Sequence, residues 1–209
     1  MVIGLAAFAG ASRANTYTFD RITSNSSTNV EQQFSIEVKS NSATQVSVTF
    51  SNSGPIQASI ADIYFDDDGN FASIDGFTEP AGVSFTILAT PAELPAANNA
   101  TPDFETSLGL SADSANPPPQ NGVNVGEYLV VYLTLAGGKT FEDVIADLES
   151  GDLRVGLHVQ SIAGGTSDSF VNNPPDNTPD PHLVPDAGLT VTMLGAAMLV
   201  MAAVRRKLA

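Results

Sequence analysis

An all-β fold is what this sequence predicts: an antiparallel β-sandwich or jelly roll with one short helix, followed by a C-terminal transmembrane helix. Three observations carry that expectation. Apolar residues alternate with polar ones over short runs separated by Gly, Asn, Asp and Ser turns. A single stretch switches to helical spacing, and the segment from Val184 to Ala209 contains an uncharged apolar run that ends in three cations.

The elements follow in chain order. "QFSIEVK" places Phe34, Ile36 and Val38 on one face, and "QVSVTF" does the same with Val46, Val48 and Phe50 across a "SNSAT" turn. "ASIADIYF" leads into "DDDGNF", where Asp68 and Gly69 suit a hairpin turn because both tolerate positive φ. "VSFTIL" offers Val83, Phe85 and Ile87 as one face. "EYLVVYLTL" sets Leu129, Val131, Leu133 and Leu135 against Tyr128, Val130 and Tyr132, so this strand is expected to be central and covered on both faces. In "GKTFEDVIADLESG", Phe141, Val144, Ile145 and Leu148 fall at helical spacing. Thr140 and Asp143 suit a capping box there, and Gly151 suits the stop. "LRVGLHVQSI" then closes the domain with Leu153, Val155, Leu157 and Val159 inward.

Charge separates this body from its ends. Residues 15 to 183 hold 4 Lys and Arg against 22 Asp and Glu, whereas the segment from Val184 to Ala209 is net positive. A body this acidic repels phosphate backbones, so nucleic acid is not an expected partner. Cysteine is absent, which removes disulfide frameworks and Cys-ligated metal centres.

At the N-terminus, an apolar stretch from Val2 to Ala11 precedes Ser12, Arg13 and Ala14, so residues 1 to 14 read as a signal peptide cleaved after Ala14. No basic residue precedes the apolar run, which points to a start upstream of Met1. The body is expected over 15 to 171. A Pro-rich spacer covers 172 to 183, with four prolines in "NNPPDNTPDPHL". Residues 187 to 204 carry no charge, and as a helix at about 1.5 Å per residue they span about 27 Å, close to the ~30 Å hydrocarbon core. Burying a cation of the basic stop 205 to 207 at mid-membrane costs about 2.5 to 3.5 kcal/mol, so Arg205, Arg206 and Lys207 are expected at the cytoplasmic surface with the body outside.

The tail as a whole, "VPDAG" then an apolar helix then "RRK", resembles the PEP-CTERM class of sorting tails, and most closely the VPDSG-CTERM variant. The resemblance covers Val184 to Ala209; Val184, Pro185, Asp186 and Gly188 match the motif, and Ala187 stands where the variant has Ser. It implies an exosortase-type membrane processing enzyme as partner, transient residence in the inner membrane, and delivery to the envelope or an extracellular polysaccharide matrix. Pro185 and Gly188 also disfavour helix, which keeps the strip extended and accessible. A weaker resemblance, "GLHVQSIAGGTSDSFVN", is to the bodies of some PEP-CTERM proteins and implies shared fold alone.

No catalytic set, metal centre or cofactor is expected. Asp62, Asp66, Asp67, Asp68 and Asn70 concentrate oxygen ligands suited to calcium, but from Asp66 the sixth position is Phe71 and the twelfth Phe77, so the EF-hand pattern fails and a simple turn is preferred. His158 lacks a second histidine in the body and is expected to be solvent-facing or hydrogen-bonded. The expected function is therefore a non-enzymatic exported protein. A carbohydrate-binding module or a two-carboxylate glycoside hydrolase is the alternative class, distinguished by whether Tyr and Phe side chains cluster outside the core.

Overall fold

The computed structural model describes residues 15 to 112 and 120 to 172, which form two antiparallel sheets around one core. The alternating runs become strands because each has one apolar face to bury. The first sheet contains β1 (Asn15–Tyr17), β3 (Phe34–Ser42), β4 (Gln45–Asn52), β9 (Tyr128–Leu135) and β6 (Phe71–Thr78), in that spatial order. The second contains β2 (Phe19–Arg21), β11 (Thr166–Asn172), β10 (Leu153–Ile162), β5 (Ser59–Asp67), β8 (Leu108–Ala112) and β7 (Phe85–Ile87). Every pairing between these strands is antiparallel.

Facing side chains lock the sheets together. Phe34 of β3 meets Phe170 of β11 edge to face at 5.3 Å, and Phe50 of β4 meets Phe65 of β5 at 6.2 Å. Ile36, Val38, Val46, Leu129, Val131, Leu133, Leu157 and Val159 are all buried, as their alternation predicts. The helix α1 (Phe141–Ser150) packs against β10 and β3, burying Val144 and Leu148. Thr140 accepts from the Asp143 backbone N–H, the Asp143 carboxylate accepts in return, and Gly151 ends the helix at φ 85°.

Four sequence expectations are corrected. The Asp68–Gly69 turn is no hairpin: β5 and β6 lie in different sheets, so the turn is an arch between layers. Its local chemistry is nonetheless the expected kind, with Gly69 at φ 99° and the Asp67 carboxylate accepting from the Asn70 and Phe71 backbone N–H groups. Secondly, β9 is covered on one face only, since Tyr128 is 43% exposed and Val130 and Tyr132 are half-buried. Among the described strands β5 is covered on both faces, because residues 88 to 107 cross its outer side and pack Leu94, Ala100 and Phe104 against Tyr64 and Val171. Thirdly, β10 is not the last strand, since β11 follows it and Asn172, assigned to the spacer, is buried with its Oδ1 accepting from the Val155 N–H. Finally, Ile87 does not share the burial of Val83 and Phe85; it is 49% exposed because β7 is a short edge strand that runs off the core.

Among the described residues no helix is long and apolar enough to cross a membrane. The span expected over 187 to 204, like the leader over 1 to 14, lies outside the described residues.

Candidate functional site

The sorting residues Val184, Pro185, Asp186, Ala187 and Gly188 and the basic stop Arg205, Arg206 and Lys207 also lie outside the described residues. The body offers three places where side chains converge.

The first is a polar row on the outer face of the second sheet. Strand register sets Ser111 of β8 beside Asp62 of β5, and Asp62 beside His158 of β10. Asp62 is 3% exposed and uses both oxygens: one accepts from the Ser111 hydroxyl, the other lies 2.8 Å from His158 Nδ1. A carboxylate only accepts, so Nδ1 carries the proton and Nε2 is the free ring position. Ser111 Oγ in turn accepts from the Thr90 N–H at 2.8 Å, which ties the start of the covering loop to the sheet. Ser111 gives its proton to Asp62 rather than to His158, so the three do not form the serine-to-histidine relay of an acyl-transfer site. The arrangement holds a buried charge by hydrogen bonding and fixes the loop. His158 is thus the hydrogen-bonded histidine expected. Its partner Asp62 stands 96 positions away and Ser111, which bonds Asp62, 47, and strand alternation, which puts all three on outward faces, was the signal available for finding them.

The acidic run from Asp62 to Asn70 is dispersed by the same geometry. Asp66 pairs with Arg154, Asp67 caps the arch, and Asn70 donates to Asp147 at 2.9 Å. No group of three or more acidic or histidine side chains among the described residues converges as a metal centre would require.

The second place is a cleft of about 510 Å³ between β2, the covering loop and the C-terminal end of α1, lined by Arg21, Asn99, Pro102, Arg154 and Asn172 among others. Both guanidinium groups are already engaged. Arg21 donates to Ser26 O and faces Asp168 at 3.5 Å, while Arg154 donates to Pro102 O, Asp103 O and Asp66 and stacks 5.3 Å from the Phe104 ring centroid. Gly156 permits that stacking, since a Cβ there would meet Leu94 Cδ2 at 2.9 Å. Arg154 therefore staples the covering loop, leaving the cleft without a spare cation.

The third is the uncovered face of the first sheet. Tyr128, Val130, Tyr132 and Thr134 project from β9, beside Gln45, Ser47, Thr49 and Ser51 of β4. Tyr132 Oη lies 3.0 Å from Thr78 Oγ1 of β6. At one end of this face Asp75 accepts from Thr134, Gln45 and Ser73, and those hydrogen bonds hold its carboxyl below the usual range. The other two tyrosines are core: Tyr17 and Tyr64 are 2% and 0% exposed, and burial raises both phenols, Tyr17 to about 12. Of the four tyrosines, then, two lie together outside the core.

Comparison of the chain with protein-family models, with curated proteins and with solved structures gives no match.

Proposed function

We propose that this protein is a non-enzymatic, exported component of the cell envelope or extracellular matrix. In this reading residues 187 to 204 hold it transiently in the inner membrane, and an exosortase-type enzyme then cleaves near Val184 to Gly188. The observation that carries the reading is the order of three physical features from Val184 to Ala209: a helix-breaking acidic strip, the uncharged run over 187 to 204, and Arg205, Arg206 and Lys207 at the stop. An apolar helix of that length is costly to leave in water, and the cations oppose its passage through the bilayer, so the chain halts with its body outside.

The charge of the body supports this reading. A chain segment with 22 carboxylates against 4 cations over residues 15 to 183 stays off anionic headgroups, as suits a domain displayed beyond a membrane. The jelly-roll alternative within the sandwich class belongs to the same proposal, since either arrangement displays a broad sheet face.

Intact-mass measurement of the protein recovered from envelope and medium is the direct test. The expected mass lacks residues 189 to 209 as well as 1 to 14. A mature protein that retains the whole tail contradicts processing.

A further inference from the structure

The geometry points to the outer face of the first sheet as a binding platform for an uncharged polysaccharide chain, laid along β9 across Tyr128 and Tyr132. This assignment rests on the matrix reading above for its biological setting, but its chemistry stands on the face itself.

Charge is the first argument. In a body so rich in Asp and Glu, a random patch of surface carries carboxylates. Yet the outward positions of the paired segments of β4 and β9, Ser47, Thr49 and Ser51 beside Tyr132, Val130 and Tyr128, contain none, and the carboxylate at one end of the face, Asp75, already accepts from Thr134, Gln45 and Ser73. On the adjoining β3, Glu37 is neutralised by Lys39 through a direct ion pair. A cationic partner would find more attraction at the carboxylates elsewhere on the body, and an anionic one would be repelled by the body's net negative charge. An uncharged ligand is the class whose contact here avoids desolvating a charge.

The second argument is the pairing of flat apolar rings with hydroxyls. A sugar ring presents apolar C–H faces and a rim of hydroxyl groups, so it is recognised by aromatic planes flanked by short polar side chains. Here Tyr128 is 43% exposed, and the serines and threonine of β4 line one flank. Tyr132 is held rather than free. Its hydroxyl reaches Thr78, which sits opposite Val130 in register, so the side chain runs back along the sheet instead of standing away from it. Its neighbour in β6 is Gly76, where an added Cβ would meet nothing within 4 Å, so that flank is open. Holding the ring in advance lowers the entropy cost of binding.

The spacing sets a length requirement. Tyr128 and Tyr132 are four positions apart on one strand, roughly 13 Å at about 3.3 Å per residue. A monosaccharide reaches one tyrosine; an oligosaccharide reaches both.

The test uses the full-length chain in lauryldimethylamine oxide, whose headgroup is not a sugar. Native gels containing hydroxyethylcellulose, dextran or glycogen are compared with gels containing alginate, an anionic glycan. Retardation by at least one neutral polymer but not by alginate is expected, with tenfold or greater weakening in Tyr128→Ala and further weakening in Tyr128→Ala/Tyr132→Ala. Because Tyr128 is exposed, the single variant should melt like the wild type. Thr49→Glu, which places a charge mid-face, should weaken binding by a similar factor. Free glucose should compete poorly against a glucan oligosaccharide. Mobility unchanged by all three neutral polymers, or retardation that survives both tyrosine substitutions, overturns the assignment. So does a wild-type dimer in sedimentation that Tyr128→Ala dissolves, which would make the face an interface between copies. Failure here leaves tail processing intact, and an uncleaved tail leaves this binding intact, so the two readings fail separately.

Discussion

Tyr17 illustrates how one buried atom shapes the pH response. Its ring fills the core at 2% exposure, and its hydroxyl has no hydrogen-bond partner. Burial first, and the Glu149 carboxylate second, push the phenol from its ordinary value near 10 up to about 12. The folded state thus favours the neutral form. Its contribution to stability is complete below pH 10 and is lost as pH rises from 10 towards 12, a window that Tyr64 shares in direction. Tyr17→Phe should therefore raise stability at pH 7 by up to about 1 kcal/mol, read as a higher urea midpoint, because an unsatisfied buried hydroxyl is removed. The variant should also lose less stability than the wild type between pH 10 and 12. A lower midpoint at pH 7 would show that the hydroxyl is paired after all. At the same scale Asp62 and His158 were each visible in the sequence, but their contact was not, since nothing local distinguishes a strand carboxylate that meets a histidine 96 positions later from one that meets water.

The helix and strand β5 lie at opposite ends of legibility. Every signal for α1 is local: the helical apolar spacing, the Thr140 and Asp143 box, and Gly151 in the left-handed region. Removing the cap should act locally too, and Thr140→Ala is expected to lower stability by about 1 kcal/mol in thermal or urea melts at pH 7. The Asp143 carboxyl is held below its ordinary value chiefly by the Thr140 side chain. Its contribution is present above that ordinary value and fades as pH falls through the folded one, so the difference between variant and wild type should narrow in strong acid. A difference that stays constant across that range would separate the cap from the carboxylate. For β5, by contrast, "SIADIYFDD" has no clean alternation, and its outer face is buried only because residues 88 to 107 fold over it. The available hint was Gly156 on the neighbouring strand, since a glycine inside a strand marks a close approach. In β9 the error ran the other way: two tyrosines and a valine read as a second buried face, although tyrosine carries a polar end that is at home in water.

At the scale of the whole molecule, the edges of both sheets are guarded. Strands β1, β2 and β7 are very short, and β6 has two register shifts and carries Asp75. Short or bulged edges discourage pairing between copies, and a net charge of −15 adds repulsion. The opposite charge of the tail gives the topological prediction. A phosphatase fused after Ala209 should be inactive and a cytoplasmic fluorescent reporter there should be bright, because the proposed orientation sets the three cations at the cytoplasmic face. Active phosphatase at that point would reverse the orientation and with it the route of export.

By itself the sequence determined whatever depends on near neighbours: the alternating strands, the capped helix, the acid-rich body and the uncharged run over 187 to 204 ended by cations. Tertiary structure alone decided which strands share a sheet, which of them is covered twice, and which polar groups meet across it. The division has a physical cause. Periodicity and capping act over one or two turns of chain, whereas β5 gains its second cover from a loop some 30 positions on and its sheet partner β10 from more than 85, distances over which packing, not local pattern, selects the contact.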